Sequence, residues 1–322
     1  MNTQRLKLGG SIVALVTPFR NDRIDEEAFA ALCSRQIERG TSALVPCGTT
    51  GEAPLLTPDE YRRLVEIAVA TAADRVPVIA GAGTCSTAAS IDLARQAERA
   101  GASALLCVTP YYLRPTQEGV MCHVRAIHDA VGLPIVLYDV PSRTALALHD
   151  ETVRRLAELP RVIGLKDATA DLRRPGRLLR LIGGDFVLLS GDDATQADFR
   201  LAGGHGCISV TANVAPALCA ALHHAWDVAD LVTLRSATQT LAPLHAALFL
   251  ESNPIPVKRA LHRLGLTTNA LRLPLTSLGP EADARLAAAL EPVMVVEDLE
   301  ARRVAAVMPP VWQETPFVGF AA

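Results

Sequence analysis

Only three of the chain's 31 basic residues are lysines: Lys7, Lys166 and Lys258. Where a plain positive charge suffices, this sequence uses arginine. An arginine can also lay its stem on apolar surface and keep its head in water. A lysine kept against that habit points to chemistry a guanidinium cannot do. An amine in apolar surroundings can lose its proton, attack a ketone, and pass through a carbinolamine to an iminium. A delocalised guanidinium stays protonated. Lys166 is placed for that chemistry, because it ends the apolar run Val162–Leu165 and opens Lys166-Asp167-Ala168-Thr169. It is the expected nucleophile, with a carbonyl compound as its substrate class.

The ends of other apolar runs supply partners. Three of the four tyrosines, Tyr111, Tyr112 and Tyr138, fall there. The Tyr138 phenol can donate and accept the protons that Schiff-base formation moves, and Tyr112 and Thr49 can extend it into a hydroxyl relay. Thr50, among the backbone N–H groups of Gly48-Thr49-Thr50-Gly51, suits a carboxylate. Arg143, behind Pro141, carries a planar fork that matches a second carboxylate. Asp192-Asp193 reads as a loop stabiliser, His223-His224 as surface residues, and Gly203-Gly204-His205-Gly206 as a tight turn into a strand.

These residues need strand ends that converge. Eight short apolar runs are visible: Ile12–Val16, Ala43–Val45, Val76–Ala80, Ala104–Val108, Pro134–Leu137, Val162–Leu165, Phe186–Leu189 and Cys207–Val210. Runs of this kind suit parallel strands buried on both faces. Between them lie helix signals: Asp25 as a cap, Gly40 as a stop, and the capping box Thr57-Pro58-Asp59-Glu60. Glu38-Arg39-Gly40-Thr41-Ser42-Ala43-Leu44 is echoed by Glu98-Arg99-Ala100-Gly101-Ala102-Ser103-Ala104-Leu105, about two βα units of roughly 30 residues apart. The pattern predicts an α/β chain folded as a (β/α)8 TIM barrel, whose reactive side chains gather at the C-terminal face. The alternative is a doubly wound open sheet. It usually carries a glycine-rich loop after its first strand, and Thr17-Pro18-Phe19-Arg20 is not one. The expected division is a barrel over 1–215, extra C-terminal helices over 216–300 and an irregular tail over 301–322.

Composition narrows the partners. The net charge is −3 with no basic tract, so neither nucleic acid nor an anionic membrane is called for. No apolar stretch is long enough to span a bilayer. The run Ser11–Val16 lacks the length and the cleavage site of a signal peptide. Seven dispersed cysteines, without C-x-x-C or metal-ligand spacing, fit a reducing cytoplasm.

Gly48-Thr49-Thr50-Gly51-Glu52, Pro110-Tyr111-Tyr112, Tyr138-x-Val140-Pro141-x-Arg143-Thr144, Gly164-Leu165-Lys166-Asp167-Ala168-Thr169 and Asn253-Pro254-x-Pro256-Val257-Lys258 together resemble the dihydrodipicolinate synthase / N-acetylneuraminate lyase family, over about residues 8 to 292. The resemblance implies that Lys166 condenses with pyruvate and that the resulting enamine attacks L-aspartate 4-semialdehyde, on the way to lysine and diaminopimelate. It implies a proton relay of Tyr138, Thr49 and Tyr112. It also implies a pyruvate-carboxylate site at Thr50, pocket backbone at Gly191 and Ile208, and an Arg143 that holds the semialdehyde carboxylate. No metal or organic cofactor is implied. The implied assembly is a homotetramer, a dimer of tight dimers in which Tyr112 enters the neighbour's site.

There are two departures. Asp139 stands where asparagine is common, and Ala145 stands where glycine is common and can shift the Arg143 loop. By the same resemblance, Ala53, Pro54, Pro58, Tyr61, Cys85 and Ala89 stand where lysine-sensitive relatives carry the polar groups of a lysine-binding cleft, and Tyr111 alone of that set remains, so feedback by lysine is expected to be weak. Three other readings stay open: a sibling lyase for keto-sugar acids, a decarboxylating dehydratase using the same lysine, and a catalytically silent paralogue.

Overall fold

The computed structural model describes residues 6–307. Eight parallel strands form one sheet: β1 (Gly10–Ala14), β4 (Ala43–Val45), β5 (Ile79–Gly81), β6 (Ala104–Val108), β7 (Ile135–Asp139), β8 (Val162–Asp167), β9 (Val187–Ser190) and β10 (Gly206–Ser209). Their order is β4-β1-β10-β9-β8-β7-β6-β5, and its two ends meet. Leu44 bridges Val78 in parallel, the Leu44 N–H donates to the Pro77 carbonyl at 3.0 Å, and the Gly81 N–H donates to the Pro46 carbonyl at 3.1 Å. A side chain at Gly81 would put its Cβ 2.1 Å from the Cys47 carbonyl oxygen, so closure at this seam requires glycine. The fold is the (β/α)8 barrel, not the open sheet. A two-stranded hairpin, β2 (Phe19–Arg20) and β3 (Arg23–Ile24), sits beyond β1.

Strand alternation divides the apolar residues into two sets. Ile12, Ala14, Val45, Leu106, Val136, Tyr138 and Ile208 fill the barrel interior. Leu44, Leu105, Leu137, Leu165 and Leu188 face the helical layer. That layer comprises α1 (Glu26–Glu38), α2 (Pro58–Ala72), α3 (Thr87–Arg99), α4 (Gln117–Ala130), α6 (Asp150–Ala157), α7 (Arg174–Ile182), α8 (Gln196–Leu201) and α9 (Pro216–Asp227). A single turn, α5 (Pro141–Thr144), follows β7. The caps fall where the sequence puts them. Asp25 accepts the Ala28 N–H, Gly40 leaves α1 at φ +86°, and Thr57 and Glu60 form the full capping box of α2.

The structure corrects several boundaries. β1 ends at Ala14: the Leu15 N–H still donates to the Val45 carbonyl at 3.0 Å, but the Val16 N–H goes to Asn213 Oδ1 at 3.1 Å, and both residues stay buried; β5 begins only at Ile79. α9 packs on β1 and takes the eighth helical position, so residues 216–227 belong with the barrel. The added helices are α10 (Leu231–Ala247), α11 (Ile255–Arg263) and α12 (Pro280–Val307). No irregular tail begins at 301, since α12 runs through to Val307. The remainder of the expected tail, 308–322, lies outside the described residues. Helix α12 is held there by Glu297, which is fully buried. Its carboxylate accepts the Ala217 and Leu218 N–H groups at the start of α9, at 3.2 and 2.8 Å, and pairs with Arg39 at 2.7 Å. His223 is not a surface residue either. It is buried in α9 with Nε2 2.9 Å from Gln196 Oε1, while His224 is exposed.

Candidate active site

β7 and β8 pair in parallel with Tyr138 opposite Lys166 and Asp139 opposite Asp167. With a period of two, Tyr138 and Lys166 point into the barrel, while Asp139 and Asp167 point toward the helices. Both inward side chains are buried, and Lys166 Nζ lies 4.4 Å from the centroid of the Tyr138 ring. Gly191 follows β9 and donates its N–H to the Asp167 carbonyl at 2.7 Å. A Cβ at Gly191 would stand 3.1 Å from Lys166 Cε, so its missing side chain is the space in which the amine can react. Ile208, on β10, is buried in the same interior.

The loop after β4 wraps tightly. The N–H groups of Gly51 and Ala53 donate to the Gly48 carbonyl, that of Glu52 donates to the Thr49 carbonyl, and Thr17 Oγ donates to the Gly51 carbonyl at 2.7 Å. Among the described residues, the N–H groups of Thr49 and Thr50 have no intrachain acceptor. Two adjacent free donors beside the Thr50 hydroxyl suit an anion. Arg143, exposed on α5, donates one N–H to the Asn253 carbonyl at 3.2 Å and keeps the rest of its fork available. Ala145 ends α5 at φ +55° without unwinding it, and its N–H still reaches the Pro141 carbonyl. Alanine is thus accommodated where glycine was expected. Tyr112 stands apart. It is 87% exposed at φ +70°, and among the described residues no hydrogen bond joins it to Thr49 or Tyr138 within the chain.

Two buried charge clusters support these strand ends, and neither was read from the sequence. Behind β7 and β8, the buried Arg174 donates to Asp139 at 2.8 Å, Asp167 at 3.4 Å, Asp150 at 3.0 Å and the Leu148 carbonyl at 2.8 Å. Burial pushes the Asp139 carboxyl up despite Arg174. Burial also lowers the Arg174 guanidinium, but Asp167 and Asp139 outweigh it and its net shift is upward. Behind the Gly48–Gly51 loop, the fully buried Lys258 donates to Glu52 at 2.5 Å and lies 4.3 Å over the Phe19 ring. Burial is the main cause that lowers the Lys258 amine. The scarcity of lysine was the available signal for this second site. The Asp193 carboxylate ties the β10 exit, accepting from the Ser209 hydroxyl and from the Val210 and Thr211 N–H groups, which is the loop-stabilising role expected of it.

Residues 7–293 match the model of the dihydrodipicolinate synthetase family. The chain belongs to this family. It is 54% identical over 283 residues to the 4-hydroxy-tetrahydrodipicolinate synthase of Hyphomonas neptunium, covering 87% of this chain and 97% of that one. Its structure is similar to that of the chloride-inhibited, pyruvate-complexed dihydrodipicolinate synthase of Acinetobacter baumannii, with TM-score 0.87, 42% identity, and coverage of 90% and 100%. A monomeric dihydrodipicolinate synthase variant is similar to the same degree, with TM-score 0.87, 40% identity, and coverage of 89% and 97%. Within the family frame, Lys166, Tyr138, Gly191 and Ile208 are gathered in one barrel mouth, Thr50 and Arg143 are linked through Asn253, and Tyr112 is left outside.

Proposed function

We propose that this chain is a 4-hydroxy-tetrahydrodipicolinate synthase, a Schiff-base lyase that joins pyruvate to L-aspartate 4-semialdehyde in lysine and diaminopimelate synthesis. The observation that carries the reading is the pairing of Lys166 with Tyr138 across β7 and β8, with Gly191 leaving room at the amine. The Lys166 amine adds to C2 of pyruvate and water leaves, giving an iminium. A C3 proton leaves, and the enamine carbon bonds to the aldehyde carbon of the second substrate. That substrate's amine then adds to C2 and expels Lys166. Tyr138 moves the protons, with Thr49 and a Tyr112 from a neighbouring copy completing the relay. Thr50 and the free N–H groups beside it take the pyruvate carboxylate, and Arg143 takes the semialdehyde carboxylate. The 87% exposure of Tyr112, next to a Leu113 that is itself 64% exposed, supports a homo-oligomer in which this loop meets another copy. Seven unpaired cysteines suit a reducing cytoplasm.

Borohydride reduction in the presence of pyruvate, followed by peptide mapping, should place the label on Lys166, and Lys166→Arg should abolish both label and turnover. Arg143→Ala should weaken use of aspartate semialdehyde by about 2 kcal/mol and leave pyruvate labelling intact. A label on Lys7 or Lys258, or faster turnover with sugar aldehydes than with the semialdehyde, would overturn the assignment.

A further inference from the structure

Asn253 lies in the segment before α11 and is 6% exposed. Its side-chain amide Nδ2 donates to Thr50 Oγ at 3.0 Å, across 203 positions of sequence. Its backbone carbonyl receives the Arg143 guanidinium at 3.2 Å. One residue therefore touches both groups assigned above to substrate carboxylates, by two different atoms. Its Oδ1 is buried with no partner among the described residues. A buried acceptor left unpaired is costly, so this amide orientation calls for a compensating use.

The use follows from the direction of the hydrogen bond. A threonine hydroxyl has one proton and two lone pairs. When Asn253 donates to Thr50 Oγ, a lone pair is occupied and the Thr50 proton is left to point elsewhere. That proton and the adjacent free N–H groups of Thr49 and Thr50 then form a donor set for a carboxylate. In the reverse orientation, Asn253 Oδ1 would take the Thr50 proton and leave the hydroxyl facing an anion with lone pairs. We propose that Asn253 is a positioning residue which fixes Thr50 as a donor to the pyruvate carboxylate, and that it acts on the first substrate alone. The proposal rests on the Schiff-base reading above. Arg143 is held by the backbone of residue 253, which side-chain replacement leaves in place, so the second substrate should be insensitive.

The test is the pyruvate concentration giving half-maximal borohydride labelling of Lys166, measured without the second substrate. Asn253→Asp keeps the shape but can only accept the Thr50 proton, and it places negative charge beside the incoming carboxylate. Half-saturation should rise at least tenfold at pH 8, with the defect shrinking as the pH falls and the new carboxyl is protonated. Asn253→Ala removes the donor without reversing the bond and should raise half-saturation less, about three- to fivefold; it carries the test if the first variant does not fold. In steady state the KM for aspartate semialdehyde should move less than twofold for either variant. Half-saturation within twofold of the parent for Asn253→Asp, or equal rises for both substrates, overturns the proposal. A parent that pyruvate does not label overturns the Schiff-base reading, and this proposal with it.

Discussion

A methyl group added at Gly191 would stand 2.8 Å from Ala168 Cβ and 3.1 Å from Lys166 Cε. The first contact forces a shift, and the second falls on the carbon bearing the amine. Gly191→Ala should cost about 1–3 kcal/mol of stability by overpacking and slow pyruvate labelling of Lys166 at least tenfold, read by urea unfolding and by timed borohydride trapping. A variant that labels at the parental rate would show that the space beside Lys166 is not needed. Single residues were legible where their type was rare or their chemistry unusual. Lys166 stood out against the arginines, and Tyr138 stood out as one of four tyrosines. Asn253 stood out only as the head of a motif and without a role, because that role is a hydrogen bond to a residue 203 positions away, and no local pattern encodes that contact. Arg174 was lost among the 28 arginines for the opposite reason: in this chain arginine is ordinary.

At the scale of elements, the ends of β7 and β8 each present an acid to the helical layer, and α7 answers both with Arg174. Breaking a buried ionic cluster by removing one partner leaves uncompensated charge. Arg174→Met should therefore destabilise the protein by roughly 3 kcal/mol and loosen the strand ends carrying Lys166 and Tyr138. Arg174→Lys should recover little, because a single ammonium cannot span four acceptors on a planar fork. Urea midpoints and the labelling rate of Lys166 check both, and a loss under 1 kcal/mol for Arg174→Met would mean the cluster does not clamp the strands. Helix starts were read well because caps are local: Asp25, Thr57 and Glu60 each act within three residues. Strand ends were read less well, since Leu15 and Val16 are as apolar as the strand before them, and the change comes only where the Val16 N–H turns to Asn213, a residue 197 positions away. His223 was legible after all. It lies four residues beyond Cys219, on the buried face that also carries Leu222, and its neighbour His224 obscured that spacing.

Across the whole molecule, four imidazoles are kept neutral by burial: His123, His205, His223 and His245 are all lowered, and His223 falls to about 3. The sign follows from which state binds the proton. Above 6.5 both states are neutral. Below it the unfolded chain takes up a proton that buried His223 refuses until about pH 3, so stability is lost across that window. Asp139 and Glu297, raised by burial, act in the opposite sense, so the measurement must be a difference. Between pH 7.5 and 5.5 the parent should lose roughly 1 kcal/mol more than His223→Gln, from urea unfolding at both pH values. Equal losses would mean that His223 is not held neutral. The barrel itself was legible because eight apolar runs alternate with helix signals. The residues that seal it were not, since the seam depends on Gly81 meeting the Cys47 carbonyl, a contact between chain segments.

The placement of the three lysines has a practical side. Lys258 is sealed, Lys166 is nearly so, and Lys7 is exposed just before the first strand. The start of β1 is the N-terminal face of the barrel, and Lys166 opens at the other. Amine-directed coupling to a solid support should therefore attach this protein by the face opposite its reactive mouth, yielding a surface of uniformly oriented molecules with their barrel mouths turned outward.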